Sequence, residues 1–207
     1  MWLPLAISFI LPLITARIPP LSMIPNTYID GQLFEGDSGE RDSRPLAKRA
    51  WEAGVETART ASPKLLLVGV CESVIFAVKI CAYILSLATI ALIVGVYTPV
   101  FTWIGQPMIP LLNLFGIPDA AIIAPATLVG ILEIAMPALV IAGQGVSQAA
   151  CFFIIVLSTV QVVFFTESAN AIMESDIPLG AGKLVIIFLV RTILAIPLVA
   201  LFTHILF

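Results

Sequence analysis

The stretch GILEIAMPAL, residues 130 to 139, sets one carboxylate, Glu133, between Gly130 and Pro137 in an otherwise apolar run. Placing a charge at the centre of a membrane span costs about 3 kcal/mol, so such residues are functional or paired. Gly130 and Pro137 weaken the backbone ladder on either side, and the carbonyls and amides they free are the material of transporter sites. A second charge, Arg191, stands in KLVIIFLVRTILAIPLVAL. Its guanidinium keeps its proton and needs a carboxylate, carbonyls or a water-filled cavity. Glu133 is its expected partner, with Glu167 and Asp176 next. The pair can line a site or simply lock two helices together. Ser158 and Gln161 lie one turn apart, and Ser168 continues that side. These side chains suit either a polar solute or a neighbouring helix.

The remaining chemistry is sparse. The chain holds no H-E-x-x-H, G-x-S-x-G or P-loop pattern, which argues against a metalloprotease, a hydrolase or an ATP-driven motor. Neither an enzyme nor a cofactor is expected. Cys71, Cys81 and Cys151 lack C-x-x-C spacing, and the single histidine, His204, sits near the end of the last helix. A structural zinc would require all four to converge, so small packing cysteines are the preferred reading and no metal is expected. With a net charge of −3 and no basic stripe, nucleic acid is not an expected partner.

The elements that position these residues are expected to be helices in a bilayer. The chain is 60% hydrophobic and 11% charged, with a mean hydropathy of +1.10, well beyond soluble domains. More than half of its charges fall between Asp30 and Lys64, seven acidic and six basic. Residues 1–18 read as an apolar span, possible as a whole short crossing but preferred as the point where the chain enters partway through a larger assembly. Residues 19–42, with three prolines and three glycines, read as an exposed acidic loop. Residues 43–207 read as a gate-like membrane domain.

Within that domain Ser43 is expected to cap a helix entered through Pro45. Its apolar side carries Trp51, Val55 and Ala58, and its opposite side Lys48, Arg49, Glu52, Glu56 and Arg59. It reads as an amphipathic helix on the membrane surface or a solvated helix packed on its own protein. Pro63 to Tyr97 as a single helix would be about 52 Å long, against a hydrocarbon core of roughly 30 Å. It is therefore expected to divide, with Ile80–Tyr97 as the span. Basic residues within 41–79 place that end in the cytoplasm. Residues 98–118, with four prolines and two glycines, read as a broken or re-entrant segment anchored by Trp103. Straight spans are expected over Ala120–Ala142, Gln148–Thr166 and Lys183–Leu206, with Glu167–Gly182 as an outer loop or second re-entrant turn. The fold class is thus all-α, polytopic, with about four to five transmembrane helices.

Several stretches together resemble one family. KRAWEAG (48–54), YTPVFTWIG (97–105), GILEIAMPA (130–138), QVVFF (161–165), SDIPL (175–179) and the RT pair at 191–192 occur in the order and spacing of the YjiH family of bacterial inner-membrane proteins. That family carries the gate domain also called the nucleoside-recognition domain. The resemblance covers about four-fifths of the chain, from Pro45 to the end. It implies a pore or gate built of broken helices, as in concentrative nucleoside transporters, ferrous-iron transport proteins and spore-maturation proteins. Longer family members carry further spans ahead of the 19–42 loop, which implies two copies or a partner membrane chain to close a pathway.

Together these features point to a transporter-like protein or subunit of the bacterial inner membrane. Glu133, Arg191, Gln161 and Ser158 would form a midplane site for a nucleoside or amino acid, flanked by the helix breaks at Gly130 and Pro137. The expected partners are the lipid bilayer, a small polar solute, and a second copy or another membrane chain. The alternative is a non-transporting assembly protein in which Glu133 and Arg191 form a structural lock.

Overall fold

The computed structural model describes residues 2–19, 21–25, 27–28, 31, 45–175 and 177–207. Most of the 19–42 loop, Ser43 and Asp176 lie outside them. The described residues are all-α and contain no strand. The helices are α1 (Trp2–Thr15), α2 (Leu46–Thr60), α3 (Pro63–Tyr97), α4 (Val100–Gly105), α5 (Met108–Leu114), α6 (Ala120–Val129), α7 (Met136–Ile141), α8 (Gln148–Gln161), α9 (Ser168–Glu174) and α10 (Ala181–Leu206).

Local chemistry accounts for the longest of these. Ser62 caps α3, its hydroxyl accepting the Leu65 N–H at 3.2 Å, and Pro63 fills the first helical position, where a missing N–H costs nothing. No proline follows until Pro99, and the helix runs unbroken over 35 residues to Tyr97. The division expected at about Ile80 does not occur. Bilayer thickness limits how much of a helix can be immersed, but it does not end one, and no proline interrupts this stretch. Leu46 to Thr60 follows Pro45 with no side-chain cap, and Glu56 and Arg59 pair on it at 3.9 Å.

The core lies elsewhere. Ile7 and Leu11 of α1, Leu112 of α5, Ile123 of α6, Phe153 and Leu157 of α8, and Ile196 and Val199 of α10 form one buried cluster. The segment set apart in the sequence as residues 1–18 therefore packs directly on α8 and α10. α4 approaches α6 so closely that a Cβ on Gly105 would stand 2.5 Å from the Pro125 nitrogen. By contrast, no described residue between Pro63 and Ser86 is buried.

Two helices among the described residues, Pro63–Ser86 and Ala181–Leu206, are long and apolar enough to cross a membrane. The straight spans expected over Ala120–Ala142 and Gln148–Thr166 are instead interrupted, the first after Val129 and the second after Gln161. Those two interruptions lie against each other.

Candidate functional site: two crossed helix breaks

The first break, residues 130–135, is dictated by its flanks. Pro137 occupies the first turn of α7, and in a continuous helix its ring would collide with the carbonyl four residues earlier, that of Glu133. That carbonyl instead accepts the Met136 N–H at 3.2 Å in a tight turn. Glu133 therefore sits in the break and not on a helix face. It is 7% exposed, and its Oε2 accepts the Ala135 N–H at 2.8 Å, satisfying an amide that the interruption would orphan.

The second break begins at Val162, a β-branched residue at φ 65, in the left-handed region that such side chains rarely adopt. Ser168, the first residue of α9, folds back on this turn: its hydroxyl donates to the Val162 carbonyl and accepts the Phe164 N–H at 2.9 Å. The chain reversal takes Ser168 off the helical side that it was expected to extend beyond Gln161. Between them the backbone crosses the first break. The Phe165 N–H donates to the Ile131 carbonyl at 2.9 Å and the Thr166 N–H to the Leu132 carbonyl at 3.3 Å.

Interrupting α8 exposes the carbonyls of its last turn, and Arg191 satisfies them from α10. Nε donates to the Gln161 carbonyl and Nη2 to the Val160 carbonyl, both at 2.9 Å, while Nη1 reaches the Thr15 hydroxyl at 3.5 Å. The negative end of a helix dipole also favours a cation there. No ion pair joins Arg191 to Glu133, so the expected pairing is corrected. Both groups found backbone partners created by the breaks, a possibility that spacing along straight helices conceals. Among the described residues no carboxylate pairs with Arg191.

Gln161 is the hub of the crossing. It is fully buried, and its Nε2 donates to the Thr127 carbonyl and the Thr192 hydroxyl, each at 2.8 Å. Its Oε1 has no partner and rests against Gly130, where an added Cβ would stand 2.6 Å away. The Thr166 hydroxyl, also fully buried, is likewise without a partner. Glycine at 130 is thus needed for close approach, while its backbone, at φ −55, is one that any residue adopts. Ser158 is buried, but its hydroxyl bonds within its own helix to the Ile155 carbonyl at 3.0 Å.

The chain is similar to an uncharacterized protein of Alkalihalophilus pseudofirmus, at 34% identity over 198 residues, a match that covers 94% of this chain and 42% of that relative. The chain thus spans less than half of the relative's length. No family model matches the chain, and no solved structure does.

Sequence reasoning missed Thr15, Thr127, Thr166, Thr192 and Val162. Isolated threonines in apolar helices carried a faint signal, and Thr192 beside Arg191 the clearest. Val162 carried none. His204 takes no part in the crossing: its Nε2 lies 2.8 Å from the Phe115 carbonyl at the end of α5. Cys71 and Cys81 are exposed on α3, apart from Cys151 on α8.

Proposed function

We propose that the chain is a transporter-like subunit of a bacterial inner membrane, embedded through α1, α3, the α6–α7 and α8–α9 pairs and α10, with the crossing of the two breaks as its solute site. One observation carries this: two interrupted helices meet in non-helical backbone, bonded from Phe165 to Ile131 and from Thr166 to Leu132, beside two buried polar atoms without partners. Inside a bilayer, non-helical backbone is tolerated only where protein buries it or where it lines a cavity. Carriers use such interrupted pairs to hold small solutes. Gln161 Oε1 and the Thr166 hydroxyl supply an acceptor and a donor for a nucleoside or amino acid. The resemblance to YjiH proteins supports the same reading, and the basic residues within 41–79 orient that end to the cytoplasm.

Uptake by the chain reconstituted in liposomes tests it. Glu133→Gln keeps an oxygen to accept the Ala135 N–H, so the variant should fold, melt normally and lose uptake. Unaltered uptake in a folded Glu133→Gln protein would sink the assignment.

One observation favours the alternative of an assembly protein: α3 is apolar yet unburied from Pro63 to Ser86. A photocrosslinker attached to the exposed Cys71 tests the alternative. Lipid adducts alone would count against the assembly protein, which needs a partner polypeptide on this face.

A further inference from the structure

Arg191 also opens onto a cleft of about 280 Å³ between α1, the second break, α9 and α10. Pro12, Leu21, Val163, Leu179, Leu184 and Ile187 give it an apolar wall. Among the described residues, the polar side chains that reach it are Arg191 and Thr15. A guanidinium carries five N–H donors. Two of these go to the Gln161 and Val160 carbonyls, and a third makes a long 3.5 Å contact with the Thr15 hydroxyl. Donors on Nη1 and Nη2 remain, and the full charge faces no carboxylate among the described residues. A buried cation beside an apolar wall selects a ligand with one anionic head and an aliphatic body.

We infer that this cleft, beside the crossing, binds a short aliphatic monocarboxylate, its head on Arg191 and its body against the α1 and α10 side chains; this rests on the reading of the chain as a carrier and adds a second ligand class to it. A nucleoside offers no charge to the guanidinium. An amino acid offers a carboxylate, but its ammonium would face a lining that contains no acidic side chain among the described residues. The volume lies near the lower end of small-molecule pockets, roughly 300 to 1,000 Å³, which suits a body the size of a leucine side chain.

The test uses the full chain in nanodiscs of zwitterionic lipid and reads its melting temperature and binding isotherms. The probes are isocaproate, which has the leucine skeleton without the amino group, the matching alcohol, leucine itself and uridine. Isocaproate should raise the melting temperature, and the alcohol, leucine and uridine should not match it. Ala16→Phe fills the cleft from an exposed turn while leaving every Arg191 bond in place, so it should melt normally and lose the isocaproate response. Arg191→Lys should weaken isocaproate by roughly tenfold to a hundredfold, the value of a charged hydrogen bond.

A response to the alcohol equal to that of the acid, a stronger response to leucine, or isocaproate binding unchanged in Ala16→Phe would each overturn the inference. So would no response to isocaproate. Nanodisc binding is independent of transport. Isocaproate binding without uptake of any solute would remove the carrier assignment alone, and uptake of a nucleoside without isocaproate binding would remove the carboxylate alone.

Discussion

Arg191 closes the end of a helix to which it does not belong: its Nε and Nη2 hold the Gln161 and Val160 carbonyls, both at 2.9 Å. The arginine and the broken end of α8 explain each other. A buried guanidinium needs acceptors, and an interrupted helix leaves carbonyls without donors.

Replacing Arg191 should therefore cost stability in proportion to the carbonyls left bare. Arg191→Met takes the guanidinium from the Val160 carbonyl and leaves the Gln161 carbonyl with the Val163 N–H at 2.8 Å, and should destabilise by about 1 to 3 kcal/mol, with Arg191→Lys intermediate because an ammonium lacks the fork. Unfolding in mixed micelles gives the order. Equal stability of the methionine variant would remove the capping account.

The contact between Gly130 and Gln161 predicts a coupled pair. Gly130→Ala drives a Cβ to 2.6 Å from Gln161 Oε1 and should pull that amide away from Thr127 and Thr192, costing about 1 to 3 kcal/mol. In Gln161→Ala only the 3.2 Å approach to the Pro137 Cγ remains, so the added cost of Gly130→Ala should fall well below its value beside Gln161. A double-mutant cycle measures this, and additive costs would contradict it.

Val162 at φ 65 stores strain that glycine would not. A β-branched residue in that region costs about 1 to 3 kcal/mol, and the greater freedom of glycine in the unfolded chain returns roughly 0.5 to 1 of it. Val162→Gly should thus stabilise by about 1 kcal/mol, measurable as a higher melting temperature. A drop of that size would show that the Val162 side chain holds the break by packing.

Outside the helices, Asp119 joins two turns: its Oδ2 accepts the Ser147 N–H at 2.8 Å, tying the start of α6 to the cap of α8. That backbone bond, followed by one from the Ser147 side chain, lowers the carboxyl's pKa below its ordinary value of 3.8. A depressed folded value means the stabilising effect is present above pH 3.8 and is lost as the pH falls through the folded value. Amide exchange at Ser147 should accelerate relative to the rest of α8 over that acidic interval, and Asp119→Asn should remove the pH dependence. Persistence of the effect in the asparagine variant would assign it to another group.

Much of this organisation is local, and the sequence determined it by itself. Pro99, Pro107 and Pro137 mark interruptions, although Pro12, Pro125 and Pro197 stand inside helices. The apolar composition and the isolation of Glu133, Gln161 and Arg191 in it are equally a matter of residue type. What tertiary structure alone decided is which polar groups meet. The end of α8 falls at a valine with no breaking tendency, held left-handed by the fold-back of Ser168. Only that interruption frees the carbonyls that take Arg191 away from Glu133. Likewise α3 continues where bilayer thickness argued for a division, because the hydrogen bonds that sustain a helix lie within it and are indifferent to what covers its surface. Helix ends at proline are written along the chain, whereas the end of α8 and the partners for the groups that helix ends expose are set by whatever packing brings within about 3 Å of them.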